Sequence, residues 1–467
     1  EVRAIASGAL ATGDTVVVNA DGTVSVVAGS NSSSGSPVVF NSATTTMQPS
    51  SSVYDSSNNK IVIAYKDYGN SQYGAAIVGT ISGSTITFGS STVFESASIE
   101  HQTITFDDNS NKVVIAYRDG GAGKAIVGTV SGTSISFGSS TTFESSGIEG
   151  VGMTFDTTNN KVVISYADLT SSSNGTAVVG TVSGTSISFG TPAVFEGGRT
   201  DYTSAAFDSS NNKVVISYSD KDNSNYGTAV VATVSGTSIS FGSVAVYTSE
   251  YAIYNAIVFD SSVNKVVISY RAATDGDKGK SVVGTVSGTS ISFGSAVTFA
   301  SGGAGIVSAT YDTSLNKVLV AYSDKGNSNY GTIALGSVSG TSISFASGGV
   351  FESAAADDIN ITYDANANKS AVFYYDEGNS FYGTASVFTA GSTNLTSENF
   401  VGFANSGYAD GQSAAINSTC MVDSNQTSLT AGQTYYVQTS GALGTTPADP
   451  SVVAGTAISS NSIIVKG

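Results

Sequence analysis

Residues 205–242 read AAFDSSNNKVVISYSDKDNSNYGTAVVATVSGTSISFG, and the architecture follows from them. Val, Ile, Tyr and Phe alternate with Ser, Thr and Gly, which suits a pleated surface. No window of a dozen residues shows the helical period of about 3.6 residues. Four strands result. Strand A is the short AAFD piece. The segment D-x-x-x-N-K is a tight turn, because Asp and Asn bond their own backbone and tolerate left-handed conformations. Strand B is KVVISY, and strand C is TAVVATV after a loop. Ser-Gly-Thr-Ser then turns the chain into strand D, SISFG, which extends toward a following VFES-like piece.

The first phrase recurs seven times, starting at Val53, Ile104, Met153, Ala205, Ile257, Ala309 and Ile361. Its first aspartates are Asp55, Asp107, Asp156, Asp208, Asp260, Asp312 and Asp364, spaced by 52 residues except for 49 between Asp107 and Asp156. The second phrase, GTAVVGTVSGTSISFG from Gly175, follows the first six copies. Four antiparallel strands in each unit of ~50 residues is the pattern of a β-propeller. The seventh copy lacks SGTSISFG, while GSPVVFNSA from Gly35 resembles the tail of a repeat and precedes the first copy. Pairing these two partial pieces closes a ring and removes exposed sheet edges. The flanks also resemble each other: LATGDTVVVNADGTVSVVAG from Leu10, and LTAGQTYYVQTSGALG from Leu429 followed by SVVAG from Ser451. The expected fold is all-β: a seven-bladed β-propeller over 35–394, with a small β unit formed by the N-terminal flank 1–34 and the C-terminal flank 395–467.

Composition excludes several functions. The 467 residues include 53 Gly, no Trp and 11% charged residues, with a net charge of −17. Few cations argue against nucleic acid and against an anionic membrane surface. No run reaches the ~20 apolar residues of a spanning helix. The single cysteine, Cys420, cannot form an internal disulfide or a thiolate zinc site, and the single histidine, His101, excludes multi-histidine metal sites. No cofactor, metal or catalytic residue is expected. The sequons at Asn174, Asn360, Asn394 and Asn425 are accidents of a Ser/Thr-rich chain.

Variation between copies locates the candidate site. The A–B and C–D turns are nearly uniform. The B–C loops vary, as in DYGNSQYG from Asp67 and AATDGDKGK from Ala272, and the D–A loops vary more, as in ASIEHQT from Ala97. In a propeller the uniform turns lie on one face and both sets of variable loops on the other, and loops on a rigid frame commonly carry binding residues. The candidate ligand-binding residues on the variable face are Glu100, His101, Arg199, Asp201, Tyr202, Tyr251, Tyr254, Asp357 and Asp358. Aromatic rings beside carboxylates suit sugars or polar protein surfaces; the competing reading is solvated loop residues. The N-S-x-Y-G tyrosines Tyr73, Tyr226, Tyr330 and Tyr382 read as loop packing. Asp67, Asp119, Asp168, Asp220, Asp324 and Asp376, which end strand B, read as caps on loop amides rather than a calcium ring. Arg118, Arg199 and Arg271 would resemble a sialidase cluster, but Arg118 and Arg271 are two to three blades apart and no Asp-box motif is present.

Several stretches carry a resemblance. SLTAGQTYYVQTSGALGTTPADPSVVAGTAISSNSIIVKG and NFVGFA from Asn399 resemble a module of virion proteins of marine tailed bacteriophages. ASGALATGDTVVVNADGTVSVV looks like its companion, and the KVVISYSD and GTVSGTSISFGS repeats look like the propeller-like repeats of the same proteins. The resemblance implies a non-enzymatic virion structural protein, of tail-fibre, appendage or decoration type, on the virion surface or otherwise extracellular. Its implied partners are other virion proteins, bound through the terminal β unit, and a host-surface glycan or protein. Self-association into a homo-oligomer is also open; nucleic-acid partners and membrane insertion are not expected. Two alternatives stand beside it: a secreted or surface bacterial adhesion module, and a polysaccharide-active hydrolase using Asp201 with Asp357 or Asp358. Strand directions place both flanks toward the uniform face, so the variable loops are expected to point outward.

Overall fold

The computed structural model describes residues 1–47, 51–448 and 450–466. Among these residues there are strands and short 3-10 turns but no α-helix, hence no helix long and apolar enough to cross a membrane. Two compact units are present, Ser34–Thr389 and Glu1–Ser33 with Ala390–Gly467.

In the larger unit each copy builds the same antiparallel sheet. In the fourth copy, strand B is Lys213–Asp220, strand C is Tyr226–Ser235 and strand D is Ser238–Phe241. Strand A is the second half of Ala193–Asp208, with Phe207 opposite Val214. Val215 pairs with Val231, and Ala232 with Phe241. Strand C next pairs with the start of Ala245–Asp260 (Thr228 opposite Val246), and the end of that same strand is strand A of the fifth copy (Phe259 opposite Val266). One long strand therefore serves two sheets. Thr92–Asp107, Ala193–Asp208 and Ser342–Asp364 do the same. The D–A segments, read from sequence as loops, are in these places continuous strand. Pairing holds both ends of each segment, so the chain between them stays extended.

The turns follow their residue types. Asn59, Asn111, Asn160, Asn212, Asn264, Asn316 and Asn368 all take left-handed φ between 50° and 54°. The glycines of the C–D turns, such as Gly236 (φ 62°), do likewise. The buried Asp208 carboxylate accepts from the backbone N–H of Ser210 and Asn211, both at 3.0 Å.

The core lies between neighbouring sheets. Val62, Val78 and Phe94 of the first copy pack with Val113, Ile115 and Tyr117 of the second. Ala371, Phe373 and Ala385 of the seventh pack with Ile61, Ile63 and Tyr65 of the first. An aromatic on each outer strand meets the tyrosine near the end of the next copy's strand B: Phe94–Tyr117 at 5.2 Å, Tyr247–Tyr270 at 5.4 Å, Phe351–Tyr374 at 5.2 Å. Gly227 makes room for this, since a Cβ there would stand 2.4 Å from the Tyr247 ring. In the second and fourth copies the tyrosine hydroxyl then donates to the glutamate directly after that aromatic, Tyr117 to Glu95 and Tyr218 to Glu196, both at 3.0 Å.

The last sheet is completed by the start of the chain. Val38–Thr46 pairs with Tyr382–Thr389 (Gly383 opposite Asn41, Ala385 opposite Val38) and then with the first copy (Thr45 opposite Asp67). Phe40 meets Tyr65 at 5.4 Å, the same contact the other copies make.

In the smaller unit both flanks share one sheet. Val2–Ile5 pairs with Ser413–Asn417, and Thr15–Val18 with Phe400–Ala404. A second sheet comes wholly from the C-terminal flank and centres on Val452–Ala457. Val17, Phe403, Tyr435, Val437 and Ile463 form a buried core in this unit.

Candidate functional site

Strand A begins beside the end of strand B. Glu100 lies opposite Arg118, Asp201 opposite Ser219, Ile253 opposite Arg271 and Asp357 opposite Tyr375. The register then slips and resumes three residues later, at Thr103, Ser204, Ala256 and Asn360. The residue after each first pair position is left-handed: His101 (φ 52°), Gly150 (54°), Tyr202 (51°), Tyr254 (54°) and Asp358 (48°). A bulge of this kind re-aims a side chain out of the pleat. The sixth copy carries Ile306 there, a β-branched residue for which positive φ is costly, and Ile306 is not left-handed.

The re-aimed side chains form one electrostatic neighbourhood. The Tyr202 and Tyr254 rings meet edge-on at 5.3 Å, and the Arg271 guanidinium lies 5.9 Å from the Tyr254 centroid. Asn255 Nδ2 donates to the Tyr202 carbonyl at 3.2 Å, tying the fourth copy to the fifth. Burial pushes both phenols up, with nearby Asp201 adding to the effect on Tyr202 and Arg271 opposing it on Tyr254. Burial holds the His101 imidazole below its ordinary 6.5, while Glu149, Glu100 and Asp201 pull it up. Arg118 pairs with Glu100 at 3.3 Å and Lys221 with Asp201 at 2.9 Å. Burial raises the Asp357 carboxyl against Lys325 and Arg271. Burial, then the charge of Asp357, pushes Asp358 up to about 7.

A pocket of about 240 Å3 opens within this neighbourhood, between the fifth, sixth and seventh copies. Tyr254, Arg271, Ile306, Lys325, Asn329 and Asp357 line it. Arg271 and Lys325 both pair with Asp277, at 2.7 and 2.8 Å.

Of the sequence candidates, the structure brings Glu100, His101 and Asp201 into mutual electrostatic reach, and likewise Tyr202, Tyr251, Tyr254, Asp357 and Asp358. Arg199 stands apart: its Nε pairs with Asp222 at 2.9 Å and both side chains are exposed. The sequence reading passed over Glu149, Lys221 and Lys325, and set Arg118 and Arg271 aside. All but Glu149 belong to the end of strand B or the residue after it. Setting that end beside the start of strand A would have found them. Asp67, Asp168 and Asp324 accept from the backbone N–H two residues on, each at 3.0 Å. Among the described residues no group of three or more His, Cys, Asp or Glu is placed to hold a metal ion.

No protein-family model and no curated protein matches the sequence. Solved structures do match. The BP39L lectin from Burkholderia pseudomallei has a TM-score of 0.56 at 11% identity, covering 75% of this chain and 98% of the lectin. Sqt1 from Saccharomyces cerevisiae matches over 77% of this chain and 99% of its own, at 10% identity and a TM-score of 0.44, too weak a likeness to argue from. The likeness to the lectin shows the fold, an all-β, propeller-like arrangement.

Proposed function

We propose that the seven sheets are the blades of one closed propeller, and that its variable end is a non-enzymatic binding platform for a surface glycan or protein. Closure is supported by Val38–Thr46, which pairs with the seventh copy and passes to the first as the long strands do elsewhere. The observation that carries the platform is the left-handed bulge. It holds His101, Tyr202, Tyr254 and Asp358 at one equivalent position, in strained geometry, with a different side chain in nearly every copy. Strain of this kind persists where the surrounding fold enforces it and function uses it. The fold likeness to a lectin favours a glycan as the ligand. The resemblance of the flanks to phage virion modules supports a role on a virion, in which the smaller unit would attach the protein to neighbouring virion proteins.

Two experiments test this reading. Labelled protein is applied to arrayed bacterial surface glycans and to whole marine bacterial cells. Wild type is expected to bind, and Tyr202→Ala with Tyr254→Ala to bind at least tenfold more weakly while melting at a similar temperature. Equal binding by the double variant would remove the platform, and release of reducing sugar would replace it with a hydrolase using Asp201 with Asp357 or Asp358. Mass spectrometry of purified phage particles tests the virion assignment separately.

A further inference from the structure

The 240 Å3 pocket lies where the sixth copy departs from the repeat. At the two bulge positions other copies carry Glu100–His101, Asp201–Tyr202, Ile253–Tyr254 and Asp357–Asp358, whereas the sixth carries Gly305–Ile306. A Cβ on Gly305 would stand 2.8 Å from the Ser323 Cβ, so a side chain there would displace Ser323, another residue of the pocket wall.

The lining has two characters. Tyr254 and Ile306 give it an apolar side. Arg271, Lys325 and Asn329 supply hydrogen-bond donors, and Asp357 with Glu377 supplies acceptors. The charges balance toward the negative. Both cations are already met by Asp277, and two further carboxylates face the same space. An added anion would meet the Asp357 and Glu377 carboxylates, and two cations that are already paired with Asp277. A small pocket with one apolar wall and several alternating donors and acceptors matches a ring that has an apolar C–H face and a rim of hydroxyls.

We propose that this pocket is a subsite for a single uncharged pyranose of a surface glycan, held by apolar contact with Tyr254 and Ile306 and by hydroxyl hydrogen bonds to Arg271, Asn329 and Asp357. This rests on the platform reading and names its ligand class. A ligand of one sugar ring has few atoms, so its affinity is expected in the millimolar range.

The test uses the full chain and saturation-transfer NMR with the methyl glycosides of glucose, mannose, galactose and N-acetylglucosamine. Methyl glucuronide is the acidic control. At least one neutral glycoside is expected to bind saturably, and the glucuronide at least fivefold more weakly. Asn329→Gly, at an exposed position whose left-handed backbone (φ 60°) glycine adopts without strain, is expected to weaken binding about tenfold, and so is Arg271→Lys. Lys161→Ala, at the opposite end of the third sheet, is expected to bind as wild type does. Absence of binding by every neutral glycoside overturns the proposal, as does equal binding of the glucuronide or full binding by Asn329→Gly. The cell-binding experiment separates the two ideas. If cells are bound through Tyr202 and Tyr254 while no monosaccharide binds, the pocket proposal falls and the platform stands. If cells are not bound, the platform falls.

Discussion

The two ends of the repeated sheets both rely on left-handed residues, but they fill those positions differently. At one end the residue is always Asn in D-x-x-x-N-K, and Gly in the C–D turns. These residues reach positive φ at low cost, and every copy solves the turn the same way. At the other end the position holds His101, Gly150, Tyr202, Tyr254 or Asp358. Bulky residues there cost on the order of 1–3 kcal/mol each in backbone strain. A turn alone would select Asn or Gly throughout. Different and costly side chains at an equivalent backbone position indicate that the side chains themselves are what is retained.

The largest effect is expected at the uniform end. Asp208 is buried, and its carboxylate accepts from two backbone N–H groups, from Ser210 Oγ at 2.7 Å and from Asn211 Nδ2 at 2.9 Å. Asp208→Ala leaves those donors unmet, at an expected loss of roughly 2–4 kcal/mol in denaturant unfolding. Cell binding per folded molecule should not change. An unmoved unfolding midpoint would mean that this end is not the scaffold, and the contrast would collapse.

A smaller effect, with a pH signature, is expected at the variable end. The folded pKa of Asp358 is raised from its ordinary 3.8 to about 7 by burial and by Asp357. The folded state therefore binds more protons than the unfolded chain between these values, and stability falls as pH rises through that window. Asp358→Asn should stabilise the protein by roughly 1–2 kcal/mol at pH 8, after a discount for partial solvent contact. The gain should vanish below about pH 4, where both states are protonated. Thermal melts at the two pH values measure it. A gain of equal size at both would place Asp358 outside a titrating environment and weaken the case that its position is strained for use.

The sequence made the uniform end almost wholly legible. Asp55 through Asp364, the turn asparagines and the Ser-Gly-Thr-Ser glycines each announce a local backbone requirement, and local requirements can be read from local residues. The variable end was legible only in part. His101, Tyr202, Tyr254 and Asp358 stood out because they broke the repeat. That their segments are strand rather than loop was hidden, since Thr92–Asp107 and its equivalents are held extended by pairing with two different sheets. Lys325 was passed over and Arg271 set aside because their roles are not local. They reach the site across strand pairs and between copies, through contacts with Asp277 and Tyr254 that no local spacing records.

Departure from the repeat is not always a sign of function, and Tyr247 is the position that shows this. The equivalent residues are Phe40, Phe94, Phe143, Phe195, Phe299 and Phe351, and all of them pack against a strand-B tyrosine. Tyr247 makes the same contact with Tyr270 but adds a hydroxyl that is buried without a hydrogen-bond partner. It lies on the outer strand, away from the bulge. Its phenol is pushed up by burial, then by Tyr270. Removing an unmet buried hydroxyl while keeping the ring should stabilise the protein by about 1 kcal/mol. Tyr247→Phe is therefore expected to raise the melting temperature slightly and to leave glycan and cell binding as in wild type. A lower melting temperature would mean that the hydroxyl has a partner, and a change in binding would mean that the platform extends to the outer strands. Either result would blur the division between a scaffold read from uniformity and a site read from departure.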